Sequence, residues 1–157
     1  MKPRFVRVVA LLLPVLSLAV LLPMPRTLVA AQGEEVRKDL KQFTGTWQAT
    51  SLERDGKAVA AQDVRKVQLI VDGEHYTLQT GRQTIEGRQK LDPSKDPKII
   101  DAVRTKGPDK GKTIHGIYEL EGETLRICFS APEQARPTAF KTGKGGGHRL
   151  FMLKRAK

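Results

Sequence analysis

Strand-length runs punctuated by tight-turn dipeptides leave this chain few architectures to choose from. Asp72-Gly73 stands between two apolar-rich runs, and Asp55-Gly56 and Glu121-Gly122 close others in the same way. An acidic residue followed by glycine supplies the positive φ that a short hairpin demands. Read this way, the chain has strands over 47–54, 67–71, 75–80, 83–91, 98–104, 112–120, 123–130 and 148–155. A helix-like segment over 34–43 precedes them, and a short helical connector spans 60–66. The polar run 92–97 keeps Pro93 and Pro97 outside the strands, where a missing N–H costs no ladder bond. The expected fold is therefore all-β, a small eight-stranded antiparallel up-and-down barrel with a short N-terminal helix. Closure would remove the unpaired edges, and an eight-stranded barrel is just wide enough for side chains or one small ligand. A two-sheet sandwich is the alternative.

Alternation assigns the faces. Ile85, Gly87, Gln89 and Leu91 share one side of their strand, Tyr76 and Leu78 face away from His75, and Leu125, Ile127 and Phe129 alternate with Arg126 and Cys128.

The first 31 residues read as an address. Lys2, Arg4 and Arg7 precede a 15-residue apolar run, residues 8–22, broken only by Pro14 and Ser17, and Val29-Ala30-Ala31 offers small residues for cleavage. Fifteen helical residues at about 1.5 Å each fall short of a ~30 Å hydrocarbon core, so a retained anchor is disfavoured. The domain boundaries that follow are 1–31 for the signal peptide and 32–157 for the barrel. The protein is expected to be exported, periplasmic or extracellular, and to meet the membrane only through the transient signal peptide.

Cleavage removes four basic residues and no acidic one, so the formal charge falls from +11 to +7 over 126 residues. Those charges are interspersed with acids, as a solvated surface would have them, with a mild attraction for anionic partners. No Lys/Arg block interleaved with aromatics occurs, which argues against nucleic acid. Cys128 is the sole cysteine, so an exported chain must draw its stability from its core rather than from an internal disulfide.

Gly45-Thr46-Trp47, at the opening of the first strand, resembles the Gly-x-Trp signature of lipocalins, in which the glycine permits a tight turn and the indole plugs the closed end of a barrel. Further stretches are 53–57, 91–93, 107–113, 116–120 and 125–129, then Arg136-Pro137-Thr138, Phe140 and Leu153-Lys154-Arg155. Together they make the mature chain resemble a family of short exported lipocalin-like proteins of planctomycete-type bacteria. The resemblance implies a small lipocalin-like barrel. It implies no activity and carries over no catalytic residue. In lipocalins a basic side chain of the last strand packs over the signature Trp. Arg149, Lys154 and Arg155 are the candidates here, and Arg155 is preferred because it shares the parity of Arg149, Phe151 and Leu153. Gly45, Trp47 and Arg155 would then close the barrel.

Features that look chemical dissolve on inspection. Gly107-Pro108-Asp109-Lys110-Gly111-Lys112-Thr113 ends like a phosphate loop, but only three residues separate its glycines where four are needed, and a strand follows. It reads as a turn. His75, His115 and His148 sit on three different strands without a local ligand spacing, so no metal is expected. Glu119, Glu121 and Glu123 flank a hairpin on its polar side, far from the sheltered cleft that acid–base work requires. No enzymatic activity and no cofactor are expected.

Binding remains. Tyr76, Leu78, Ile85, Gln89, Tyr118 and Phe129 are the expected cavity residues, for a small apolar or amphipathic ligand. Gly87 and Gly116 either leave volume in that cavity or mark bends needed for closure. The 17-residue connection 131–147 is the other candidate, carrying Arg136, Lys141 and Lys144 against Glu133. It is read as a lid or contact surface for an anionic envelope component, or else as a strap across the barrel base with Phe140 pinned in the core.

Overall fold

The computed structural model describes residues 26–157. Within them the order is α1 (Arg26–Phe43), β1 (Gly45–Arg54), β2 (Lys57–Ala58), α2 (Ala61–Val64), β3 (Gln68–Asp72), β4 (His75–Gln79), β5 (Thr84–Asp92), β6 (Lys98–Lys106), β7 (Thr113–Glu121), β8 (Thr124–Phe129) and β9 (Arg149–Arg155). From β3 to β9 each strand pairs antiparallel with the next in sequence, β1 pairs with β3, and β9 returns to β1. The chain thus forms a closed eight-stranded antiparallel barrel, lipocalin-like in form, with β2 as a short extra strand on β1. A single closed ladder rules out the two-sheet sandwich.

Three local outcomes differ from the sequence reading. α1 begins at Arg26, upstream of Glu34, and runs through the expected cleavage position. Residues 1–25 of the expected signal peptide lie outside the described residues. The two-residue β2 is too short to leave a periodic signal. β1 also shifts register between Ala49 and Ser51. Strict alternation from Trp47 and Ala49 would turn Leu52 outward, but the bulge at Thr50 turns it inward, where it is buried.

The strand directions define two ends. Trp47 faces Arg155 and Tyr118 faces Lys98 and Ile127 at one end, which α1 covers; Arg54 faces Arg149 at the other. The covered end is the base and the other the mouth. Between them the core is built from Trp47, Leu69, Val71, Ile85, Leu91, Ile100, Tyr118, Leu125, Ile127 and Leu153, all buried. Burial of such side chains contributes about 1.5–3 kcal/mol each before entropy is counted, and with no disulfide this is the main source of stability.

Candidate functional site

The base is plugged. Trp47 is fully buried, and its indole N–H donates to the Phe43 carbonyl at 2.7 Å. Arg155 lays its guanidinium over the indole at 4.3 Å and donates to the Thr44 and Gln42 carbonyls at 2.9 and 2.6 Å. Those carbonyls lie at the C-terminal end of α1, where helical partners run out. Gly45 sits at φ 132°, and a Cβ there would come within 2.6 Å of Arg155 Nη1. Glycine is therefore required so that the arginine can cross over to the helix end.

Tyr118 belongs to this base and not to the cavity. Its ring stands edge-on to Phe43 at 5.1 Å, and its hydroxyl donates to Asp39 of α1 at 2.6 Å. Burial, together with the Asp39 carboxylate, pushes the Tyr118 phenol far above its ordinary pKa. Lys98 reaches the same Asp39 oxygen at 2.8 Å. Inward parity was readable for Tyr118, but its height along the barrel was not.

Above the plug, the interior leaves an apolar cavity of about 60 Å³. Tyr76, Leu78, Ile85, Gln89 and Phe129 line it, together with Leu69, Ile100, Ile127 and Phe151. The volume is small because the two glycines do not leave it open. A Cβ on Gly87 would meet the Tyr76 ring at 2.5 Å, and one on Gly116 would meet the Phe129 ring at 2.5 Å. Each glycine is a seat for an aromatic ring, and the volume expected from it is already filled.

The cavity opens into a wider cleft of about 470 Å³ at the mouth, and Leu78, Ile85, Arg104, Arg149 and Phe151 border both spaces. Arg104 is only 6% exposed. It faces inward because β6 follows the Ile100–Ala102–Arg104 parity and pairs Arg104 with Gly87, before a register shift near Thr105. Its Nη1 donates to the Pro108 carbonyl at 2.7 Å and to Asp109 at 3.0 Å, while its buried Nε has no partner. The 107–113 turn thus serves as a clamp on Arg104. Burial pushes the Arg149 guanidinium below its ordinary pKa, and the neighbouring Arg54 and Arg104 push the same way. Burial raises the Tyr76 phenol, against the pull of the nearby Arg104 guanidinium. None of these arginines stands out in sequence as a ligand group, although the parity of Arg104 was available.

The 131–147 segment is neither a lid nor a strap across the base. Among the described residues none of its side chains borders the cavity or the cleft. It is bound to the outer wall. Arg136 donates to the Ile100 and Gly116 carbonyls at 3.0 and 2.7 Å and to Asp101 at 2.7 Å, and His115 Nδ1 shares that Asp101 oxygen at 2.6 Å. Cys128, fully buried, points outward beneath the strap with its Sγ 3.7 Å from the Lys141 carbonyl, and burial raises its thiol pKa. Phe140 is not in the core. It lies half-buried on the outer wall, with the Arg126 guanidinium 4.1 Å above its ring. Lys141 and Lys144 remain exposed, whereas Arg136 is turned into the fold.

His75 is exposed and His148 half-buried just before β9, so the three histidines stay apart. Among the described residues no three His, Cys, Asp or Glu side chains come together as a metal would need. Glu119 and Glu123 are taken up by surface ion pairs with Arg126 and Arg155. No family model, curated protein or solved structure matches the chain.

Proposed function

We propose that this protein is an exported, non-catalytic, lipocalin-like binding protein that holds a small apolar or amphipathic molecule at the open end of its barrel. The observation that carries this reading is the continuity of a largely apolar interior with a roomy cleft, at the end opposite α1. With about 60 Å³ inside, the buried part of a ligand is small, a few carbons, and the remainder occupies the mouth. The basic and apolar leader supports export, as does the position of the helix contacts. Among the described side chains of α1 the buried ones are Asp39 and Phe43, and both lie after residue 31 and survive cleavage there. The resemblance to short exported lipocalin-like proteins supports the same assignment.

A contact surface for an anionic envelope component has weaker support, since Arg136 is engaged by the barrel and only Lys141 and Lys144 of the strap remain available.

Native mass spectrometry of the protein purified from its own host's envelope tests the proposal. A discrete added mass, lost on organic extraction, supports a carrier. A bare mass for residues 32–157 supports processing but counts against a resident ligand.

A further inference from the structure

Resting on the binding reading above, we infer that the ligand is a short-chain amphiphile with a single anionic head, held with its head among the mouth arginines and its tail in the apolar interior. The mouth cleft is bordered by four arginines, Arg54, Arg82, Arg104 and Arg149, and by only two aspartates, Asp63 and Asp109. Both aspartates already hold cations: Asp63 pairs with Lys66 at 3.2 Å, and Asp109 with Arg104 and Lys112 at 3.0 and 3.3 Å. Arg54, Arg82 and Arg149 form no ion pair among the described residues.

Arg104 and Arg149 are the pair that matters, because both also border the apolar cavity. Partly desolvated guanidinium groups of like charge are costly to hold together. A purely structural role would be expected to give Arg149 a carboxylate partner, as Asp109 serves Arg104. Instead Arg149 has no carboxylate within ion-pair distance among the described residues, only the more distant Asp109 and Asp55, and the buried Arg104 keeps an unpartnered Nε. An oxyanion placed between them would satisfy that donor, offset the mutual repulsion and form charge-assisted hydrogen bonds. Inward of the arginines the lining is mainly apolar, with Leu78, Ile85 and Phe151 and only the Tyr76 hydroxyl and Gln89 as polar groups, so most of the ligand beyond the head must be apolar. A cationic head would be repelled, and a neutral one would leave the arginines as they are.

The test is isothermal titration of the mature protein with four probes: hexanoate, 1-hexanol, hexylamine and acetate. Hexanoate should bind at least tenfold more tightly than each of the others. Arg149→Gln should reduce the hexanoate-to-hexanol preference at least tenfold, while Lys154→Gln, an equal loss of charge on an exposed residue near the base, should preserve it. Should Arg149→Gln fail to fold, Arg82→Gln at the exposed rim provides the same comparison, with a smaller expected fall. Equal binding of hexanoate and hexanol overturns the anionic head but leaves the container reading standing. Acetate matching hexanoate overturns the amphiphile, since the apolar interior would then contribute nothing. Failure of every probe to bind removes both this inference and the reading on which it rests.

Discussion

The Tyr76 ring occupies the space that a side chain at Gly87 would fill, on the paired positions of β4 and β5: a Cβ at 87 would lie 2.5 Å from two atoms of the ring and 2.4 Å from the Val103 carbonyl oxygen. The backbone oxygen cannot move without breaking the β5–β6 ladder, and the ring cannot move without entering the cavity. Gly87→Ala should therefore destabilise the fold by about 1–3 kcal/mol through overpacking. Urea unfolding of the variant measures this, and an unchanged midpoint would show that the ring has an alternative seat.

Period-two alternation makes that inner face legible in the sequence, since Ile85, Gly87, Gln89 and Leu91 all turn inward. Alternation reports a face, however, and not a height. Tyr118 turns inward too, yet only the register Lys98↔Tyr118↔Ile127 places it against α1 rather than in the cavity. Bulges defeat even the face, as at Thr50, because one extra residue inverts every side chain beyond it. Arg104 and Arg149 failed for a different reason. Charged residues in strands are ordinarily solvated, so inward parity alone did not identify them as lining groups. The strap was misplaced because nothing local in 131–147 specifies which wall accepts Arg136; its partners lie 20 to 36 residues away.

Trp47 is the only tryptophan in the chain, so its fluorescence reports on the base directly. Replacing Arg155 with Met keeps much of the aliphatic cover but removes the cation and leaves the Thr44 and Gln42 carbonyls without their donor. The cation over the indole contributes ~0.5–2 kcal/mol and each hydrogen bond about 1 kcal/mol. Arg155→Met should cost about 2.5–4 kcal/mol in urea unfolding, with a red-shifted native emission as water reaches the indole. Unchanged emission together with full stability would show the guanidinium to be an ornament of the surface.

Asp39 ties the helix to the barrel through two donors, Tyr118 Oη and Lys98 Nζ, and is itself 5% exposed. Tyr118→Phe removes one donor from a buried carboxylate and should cost about 1–3 kcal/mol. Asp39→Ala also strands the phenol, so it should cost more. In a double-mutant cycle the two changes should couple by about 1 kcal/mol or more, because the second has less to lose once the first is made. Strict additivity would mean that the Tyr118–Asp39 hydrogen bond contributes nothing to holding α1.

On the outer wall, Asp101 fastens the strap, and its acidity gives that fastening a pH dependence. Burial alone would raise the carboxyl's pKa, but the hydrogen bonds from His115 and Arg136 outweigh it and hold the group below its ordinary value. A carboxyl whose pKa is lower in the folded than in the unfolded chain stabilises the fold wherever both forms are ionised. That contribution is complete above the unfolded value, about 3.9, and is lost as pH falls through the lower folded value. Since the side chain is 36% exposed, solvent screening limits the contribution to no more than about 1 kcal/mol. Asp101→Asn should therefore lower Tm above about pH 4, and the gap to wild type should close below that as the native carboxylate is protonated. Thermal melts of both proteins from pH 7 to pH 2 measure the gap. A gap that persists unchanged into strong acid would assign the loss to geometry at the strap and not to the charge on Asp101.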